Sequence, residues 1–175
     1  FRRSTSSKDC KMIKTDLDKR RWVKFYASHK HANQIYSVGL PYTHHLEKVH
    51  EVLVRFGVTD EDLLDAAWLH DIIEDTDTKP KEIMELFGKD VCALVVAVTN
   101  EKGENRKVRA ALTYPKIRST KGAVCLKLAD RIANVEHGGK LVEMYKQEYE
   151  DFRRSLYTKG LYEEMWQHLD KLLTQ

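Results

Sequence analysis

Residues 61–75 read EDLLDAAWLHDIIED, and this stretch decides how the chain is understood. Thr59 is a good cap and acids fill the first turn, so the spacing predicts a third helix over residues 60–75. The apolar run ends directly in His70-Asp71. On an unbroken helix those two side chains stand about 100° apart, with Glu74 and Asp75 one turn above them. One helix edge then carries an imidazole and three carboxylates. Behind an apolar stretch, such carboxylates cannot all stay ionised unaided, and the cluster calls for a cation. Oxygen donors with some imidazole suit Mn²⁺, and Fe²⁺, Ni²⁺ or Zn²⁺ are the other choices. A solvated acidic helix end is the plainer account, so the rest of the chain has to decide.

Outward from this segment the pattern is helical. Residues 16–31 place Leu17, Arg21, Phe25 and Ser28 near one face, with Trp22 and Tyr26 beside it, opened by an Asp cap. ANQIYSVGLPY, with Gly39 and Pro41, reads as a loop. Thr43 then caps a helix in which Leu46, Val49, Leu53 and Phe56 recur at helical spacing until Gly57. Thr78 and Pro80 begin a fourth helix that Gly88 ends. The apolar, β-branched run of residues 88–100 fits either a buried helix or a buried strand. Helical segments are expected over about 105–113, 120–136, 140–158 and 160–174 from their spacing and Gly breaks. Eight or nine helices without a hairpin signal give an all-α bundle. Trp22, Phe25, Tyr26, Trp68 and Trp166 are expected in its core, and the final helices close the bundle or form a homo-oligomer contact.

Composition agrees. The 175 residues are 42% hydrophobic and 33% charged, enough apolar matter for one domain with a core. The net charge of +3 resides in residues 1–11, where Arg2, Arg3, Lys8 and Lys11 face Asp9 alone. The remainder is net neutral, which argues against a nucleic-acid-binding surface. FRRSTSSKDCK reads as a disordered leader or an expression remnant, leaving one domain over residues 12–175. The longest apolar run, Val91 to Val98, is far short of the roughly 20 residues a membrane helix needs. Cys10, Cys92 and Cys125 include no CxxC pair and fit a reducing cytoplasm, the last two as core fillers.

Three further features bear on chemistry. Tyr42-Thr43-His44-His45 offers a second imidazole from either histidine. Asp130 interrupts the apolar run of LKLADRIAN with Asn134 one turn later, and an Asp so placed is rarely unpaired; Lys127 or Arg131 could also partner it. Residues 105–121 hold Arg106, Lys107, Arg109, Lys116, Arg118 and Lys121 without an acid, as a polyphosphate site needs. Lys30 and His31 are weaker phosphate candidates, and Tyr114 could stack on a base.

These motifs together resemble the HD-domain phosphohydrolases, and more closely the SpoT-type alarmone hydrolases and their small single-domain relatives. The resemblance covers FYASHKHANQ, GLPYTHHLEKV, AAWLHDIIEDTDT, LVVAVTNE and LKLADRIANVE in the family's order. It implies that His45, His70, Asp71 and Asp130 bind the metal. It also implies that Glu74 and Asp75 orient water and handle protons, with Lys127 and Asn134 near the nucleotide. Leu46 stands where the family usually has Pro, and Ile35 and Tyr36 stand where it usually has basic residues. The function expected is a metal-dependent nucleotide phosphohydrolase, best matched to guanosine tetraphosphate 3′-pyrophosphohydrolase. Lys30, Arg106, Arg109, Lys116 and Arg118 would hold the phosphates. A nucleotidase or triphosphohydrolase acting on ordinary nucleotides is the rival within the class; a non-catalytic nucleotide sensor is the rival outside it.

Overall fold

The computed structural model describes residues 16–37 and 39–174; the expected leader at 1–11 lies outside them. Among the described residues the elements are α1 (Asp16–Lys30), β1 (Ile35–Ser37), β2 (Leu40–Pro41), α2 (Thr43–Arg55), α3 (Glu61–Leu69), α4 (Ile72–Asp75), α5 (Pro80–Phe87), α6 (Lys89–Val98), α7 (Arg106–Ser119), α8 (Ala123–His137), α9 (Leu141–Leu156) and α10 (Glu163–Thr174). The fold is all-α, and α4 is a single turn that continues α3 after a break. None of these helices is long and apolar enough to cross a membrane.

Helices α2, α3 and α8 form the centre, with α6 against α3 and α8, and α9 and α10 closing over α8. Helix α8 is central because it is apolar on nearly every side: Val124, Leu126, Leu128, Ala129, Ile132 and Val135 are all buried. Phe152 and Trp166 fill the space over it with rings 5.4 Å apart. Burying side chains of this size stabilises the fold by roughly 2–3 kcal/mol each.

Of the two readings open for residues 88–100, the structure takes the buried helix: α6 is buried through Val91, Leu94, Val95 and Val98. Several other expectations need correction. The loop at 32–42 carries a short antiparallel hairpin pairing Ile35 with Pro41 and Ser37 with Leu40. Gly39, at φ 75°, supplies the reversal that a side chain would strain. The cap of α3 is Asp60, whose carboxylate accepts from the Asp62 and Leu63 N–H groups, and not Thr59. Helix α7 continues through Pro115 to Ser119 instead of ending near residue 113. Phe25 is 62% exposed because α1 buries Val23, Tyr26 and Ala27, turning Phe25 outward between Trp22 and His29.

The helix expected over residues 60–75 is broken at His70-Asp71. The His70 ring bonds the Ala67 carbonyl through Nδ1 at 2.8 Å, the acceptor an unbroken helix would give to the Asp71 N–H. Asp71 sits at φ −99°, ψ 0°, outside ideal helix geometry. The break means that His70, Asp71, Glu74 and Asp75 do not share one edge.

Candidate metal centre and cationic cleft

Four side chains converge, His45 from α2, Asp130 from α8, and His70 and Asp71 from the α3–α4 break. His45 Nε2 lies 3.2 Å from His70 Nε2 and 3.3 Å from Asp130 Oδ1. Asp71 Oδ2 stands 3.0 Å from His70 Nε2 and 3.6 Å from His45 Nε2. These two imidazole nitrogens face each other within hydrogen-bond distance, and either a proton or a cation can bridge them. His70 donates its Nδ1–H to Ala67, so the neutral ring offers Nε2 as a bare lone pair. Donors bound at about 2.1 Å and at right angles around one ion stand about 3 Å apart, so His45, His70 and Asp130 fit a divalent cation, with Asp71 Oδ2 beside them against His70. His44, the competing histidine, is only partly buried and lies beside Tyr36 and His137, whereas His45 is 2% exposed.

The electrostatics also call for positive charge. Burial opposes ionisation of Asp130, yet Lys127, His45 and His70 hold its carboxyl well below the usual range. Burial likewise opposes the charged form of Asp71, and the His70 ring outweighs it, leaving that pKa lowered. For His70, burial is outweighed by Asp71 and Asp130, which raise the pKa well above the ordinary value.

Around the four donors lie partners that orient them. Lys127 Nζ reaches Asp130 Oδ2 at 2.9 Å, and Asn134 Nδ2 donates to Asp130 Oδ1 at 2.7 Å. The Tyr42 hydroxyl donates to Asp71 Oδ2 at 2.6 Å. Both Glu74 oxygens are taken by Asn100, from its main-chain N–H at 2.7 Å and its amide at 3.0 Å. Asp75 turns the other way, beside Tyr42, and its main-chain carbonyl accepts from Gln34 Nε2 at 2.6 Å. Burial, then the Asp71 carboxylate, raises the Asp75 pKa. Burial, then Asp130 and Asp71, pushes the Tyr36 phenol up to about 12.

A cleft opens beside Asp130 between α7, α8 and α9, lined by Asn100, Arg106, Arg109, Ala110, Tyr114, Lys127, Arg131, Tyr145 and Glu148. Glu148 holds Arg106 and, at 3.5 Å, Arg131, which lies over the Tyr145 and Phe152 rings. Arg109 has no ion pair among the described residues. Of the cations expected to hold the phosphates, Arg106 and Arg109 line the cleft, together with Lys127, expected near the nucleotide. Lys30 is paired with Asp77 and Glu82. Lys116 is held by Glu101 and the Thr99 carbonyl. Arg118 points to the Ser155 carbonyl, about 18 Å along α7 from Arg106 at 1.5 Å per residue. These last three are not brought to the cleft.

A family model described as HD domain matches residues 24–159. The chain belongs to the HD-domain family. This HD domain is 39% identical over 114 residues to the fruit-fly guanosine-3′,5′-bis(diphosphate) 3′-pyrophosphohydrolase MESH1, a match covering 63% of this chain and 64% of the relative. The human MESH1 is 38% identical over 114 residues, again covering 63% and 64%. The matched part thus spans a little under two thirds of these relatives. A solved structure reported as a metazoan ortholog of SpoT that hydrolyses ppGpp superposes with a TM-score of 0.78. It is 30% identical, over 90% of this chain and 94% of that chain.

Sequence reading gave no role to Tyr36, Tyr42, Asn100, Tyr145 or Glu148. Tyr42 stood two residues before His44, and Asn100 ended an apolar run, but nothing in their spacing showed what they would meet.

Proposed function

We propose that this protein is a metal-dependent guanosine-3′,5′-bis(diphosphate) 3′-pyrophosphohydrolase, a single domain over residues 12–175 acting on a diffusible nucleotide in the cytoplasm. The observation that carries the reading is the grouping of His45, His70 and Asp130, with Asp71 against His70, beside a cleft lined by Arg106, Arg109, Lys127 and Arg131. The MESH1 relatives supply the substrate. Those four donors would hold the ion, for which Mn²⁺ is our choice from two imidazoles and two carboxylates. When bound, a divalent ion supplies a Lewis acid that offsets phosphate charge and makes water a better nucleophile at neutral pH.

The chain's own residues do the rest. Arg106, Arg109 and Lys127 hold the 3′-pyrophosphate by charge-assisted hydrogen bonds. Glu74, fixed by Asn100, takes the proton of the attacking water, and Asp75 serves as the second proton-handling carboxylate. Asn134, expected near the nucleotide, instead gives its amide to Asp130 and Tyr36. The water oxygen bonds to the 3′ phosphorus, the bond from that phosphorus to the ribose O3′ breaks, and O3′ takes a proton. The products are GDP and pyrophosphate.

The test is incubation with Mn²⁺ and a nucleotide panel, followed by ion-exchange separation of products. GDP and pyrophosphate from the tetraphosphate are expected; an intact tetraphosphate refutes the reading. One observation favours hydrolysis of another nucleotide instead: Ile35 and Tyr36, in the hairpin beside the site, bring no cation to it. Turnover of an ordinary mono- or triphosphate alone would select that reading. Asp71→Ala or Asp130→Ala should abolish Mn²⁺ uptake, and retained stoichiometric metal would remove the ligand assignment.

A further inference from the structure

The hairpin and the residue after it place two tyrosines against the two converging carboxylates. Tyr42 reaches Asp71 directly. Tyr36 reaches Asp130 at one remove: its hydroxyl donates to Asn134 Oδ1 at 3.0 Å, and Asn134 Nδ2 donates to Asp130 Oδ1 at 2.7 Å and to the Asp130 carbonyl at 3.0 Å. Lys127 holds the other oxygen of Asp130. The carboxylate is therefore gripped at both oxygens, and the Asn134 side of the grip ends at Tyr36. The same ring lies on His45 with centroids 4.9 Å apart and planes 21° from parallel, and His137 covers it at 4.7 Å.

We propose that Tyr36 is a positioning residue for the metal centre: its hydroxyl fixes the Asn134 amide, which aims the Asp130 carboxylate at the ion. The inference rests on the metal-site reading above. An amide carbonyl as buried as that of Asn134, at 8% exposure, requires a donor. Without the phenol, the amide can turn toward other partners and Asp130 Oδ1 loses its fixed direction. Partners that orient metal ligands typically change metal affinity by about 10–100-fold when removed. Tyr36 acts through one intermediate, so the lower end applies.

The experiment measures Mn²⁺ dissociation constants by competition with a fluorescent chelator for the wild-type chain, Tyr36→Phe, Asn134→Ala and the double variant. Phenylalanine keeps the stacking on His45 and removes only the hydroxyl. Tyr36→Phe should raise the dissociation constant about 10-fold. In the Asn134→Ala background it should add less than about twofold, because the relay is already cut. Melting of the metal-free chains should be alike for wild type and Tyr36→Phe, and excess Mn²⁺ should restore turnover of whichever nucleotide the wild type hydrolyses. A dissociation constant within about twofold of wild type overturns the proposal, and so does an undiminished effect in the Asn134→Ala background. A wild-type chain that takes up no Mn²⁺ overturns the site itself and this inference with it.

Discussion

Replacing Glu74 by Gln isolates the proton-handling role from metal binding. Glu74 is exposed at the end of the α4 turn, and Asn100 holds both its oxygens. Gln keeps the shape and can still accept from the Asn100 main-chain N–H, while losing the charge and the basicity. A positioned general base contributes about 10²–10⁴-fold, so kcat should fall by that factor. The fall corresponds to about 2.7–5.4 kcal/mol of barrier. Stability should change by less than about 1 kcal/mol, since only solvent-accessible hydrogen bonds are altered. Glu74 supplies none of the four converging donors, so the Mn²⁺ dissociation constant should stay at the wild-type value. The assay is pyrophosphate release from the tetraphosphate at saturating metal and substrate, with metal affinity and thermal melting measured on the same preparations. A kcat within about threefold of wild type would show that Glu74 is not the base. A loss of metal alongside activity would refute the separation of roles instead. Asn100→Ala leaves the main-chain donor in place, and its kcat should fall less, by about tenfold.

The other predictions concern stability and pH. Asp60→Ala removes the acceptor for two N–H groups of α3 and should cost about 1 kcal/mol in denaturant unfolding. No loss would mean that the cap is replaced by water. Phe152→Ala opens a cavity beneath Arg131 and Trp166 and should cost about 3–5 kcal/mol; a cost below about 1 would show that the core collapses around the gap. All eight tyrosine phenols titrate above their ordinary value, chiefly through burial, or for Tyr157 through its hydrogen bond to Glu163. The folded chain therefore keeps protons that the unfolded chain loses near pH 10. Their contribution to stability is full below that pH and is lost as pH rises toward about 12, the value for Tyr36 and Tyr149. Tyrosinate absorbance and circular dichroism should rise and fall together over that range; phenols that all titrate near 10 in a folded chain would contradict this.

What could be read from the sequence follows from the range of the interactions involved. His70-Asp71 and Asp130-Asn134 are legible because each sets a charge into an apolar helical run, an anomaly visible within a single turn. The helices themselves follow from local spacing and punctuation, as Pro80 and Gly88 bracket α5. The break at His70 escapes such reading because it depends on a side chain taking the Ala67 carbonyl, and helical periodicity says nothing about that competition. The cationic run at 105–121 misleads for a related reason. Its charges share a composition but not a face, and the rise of α7 separates Arg106 and Arg109 from Arg118. Tyr36 lies furthest from sequence reading. Its partner Asn134 is 98 positions away, and the two meet only because Gly39 reverses the chain and returns the hairpin to α8. A tyrosine where a basic residue was expected reads as a missing cation; in the fold it is a hydrogen-bond donor and a ring laid on His45. A substitution that costs phosphate contacts in one account thus gains control over Asp130 in the other. The Asn134 double-variant cycle separates these accounts, because only the second routes the effect through the amide.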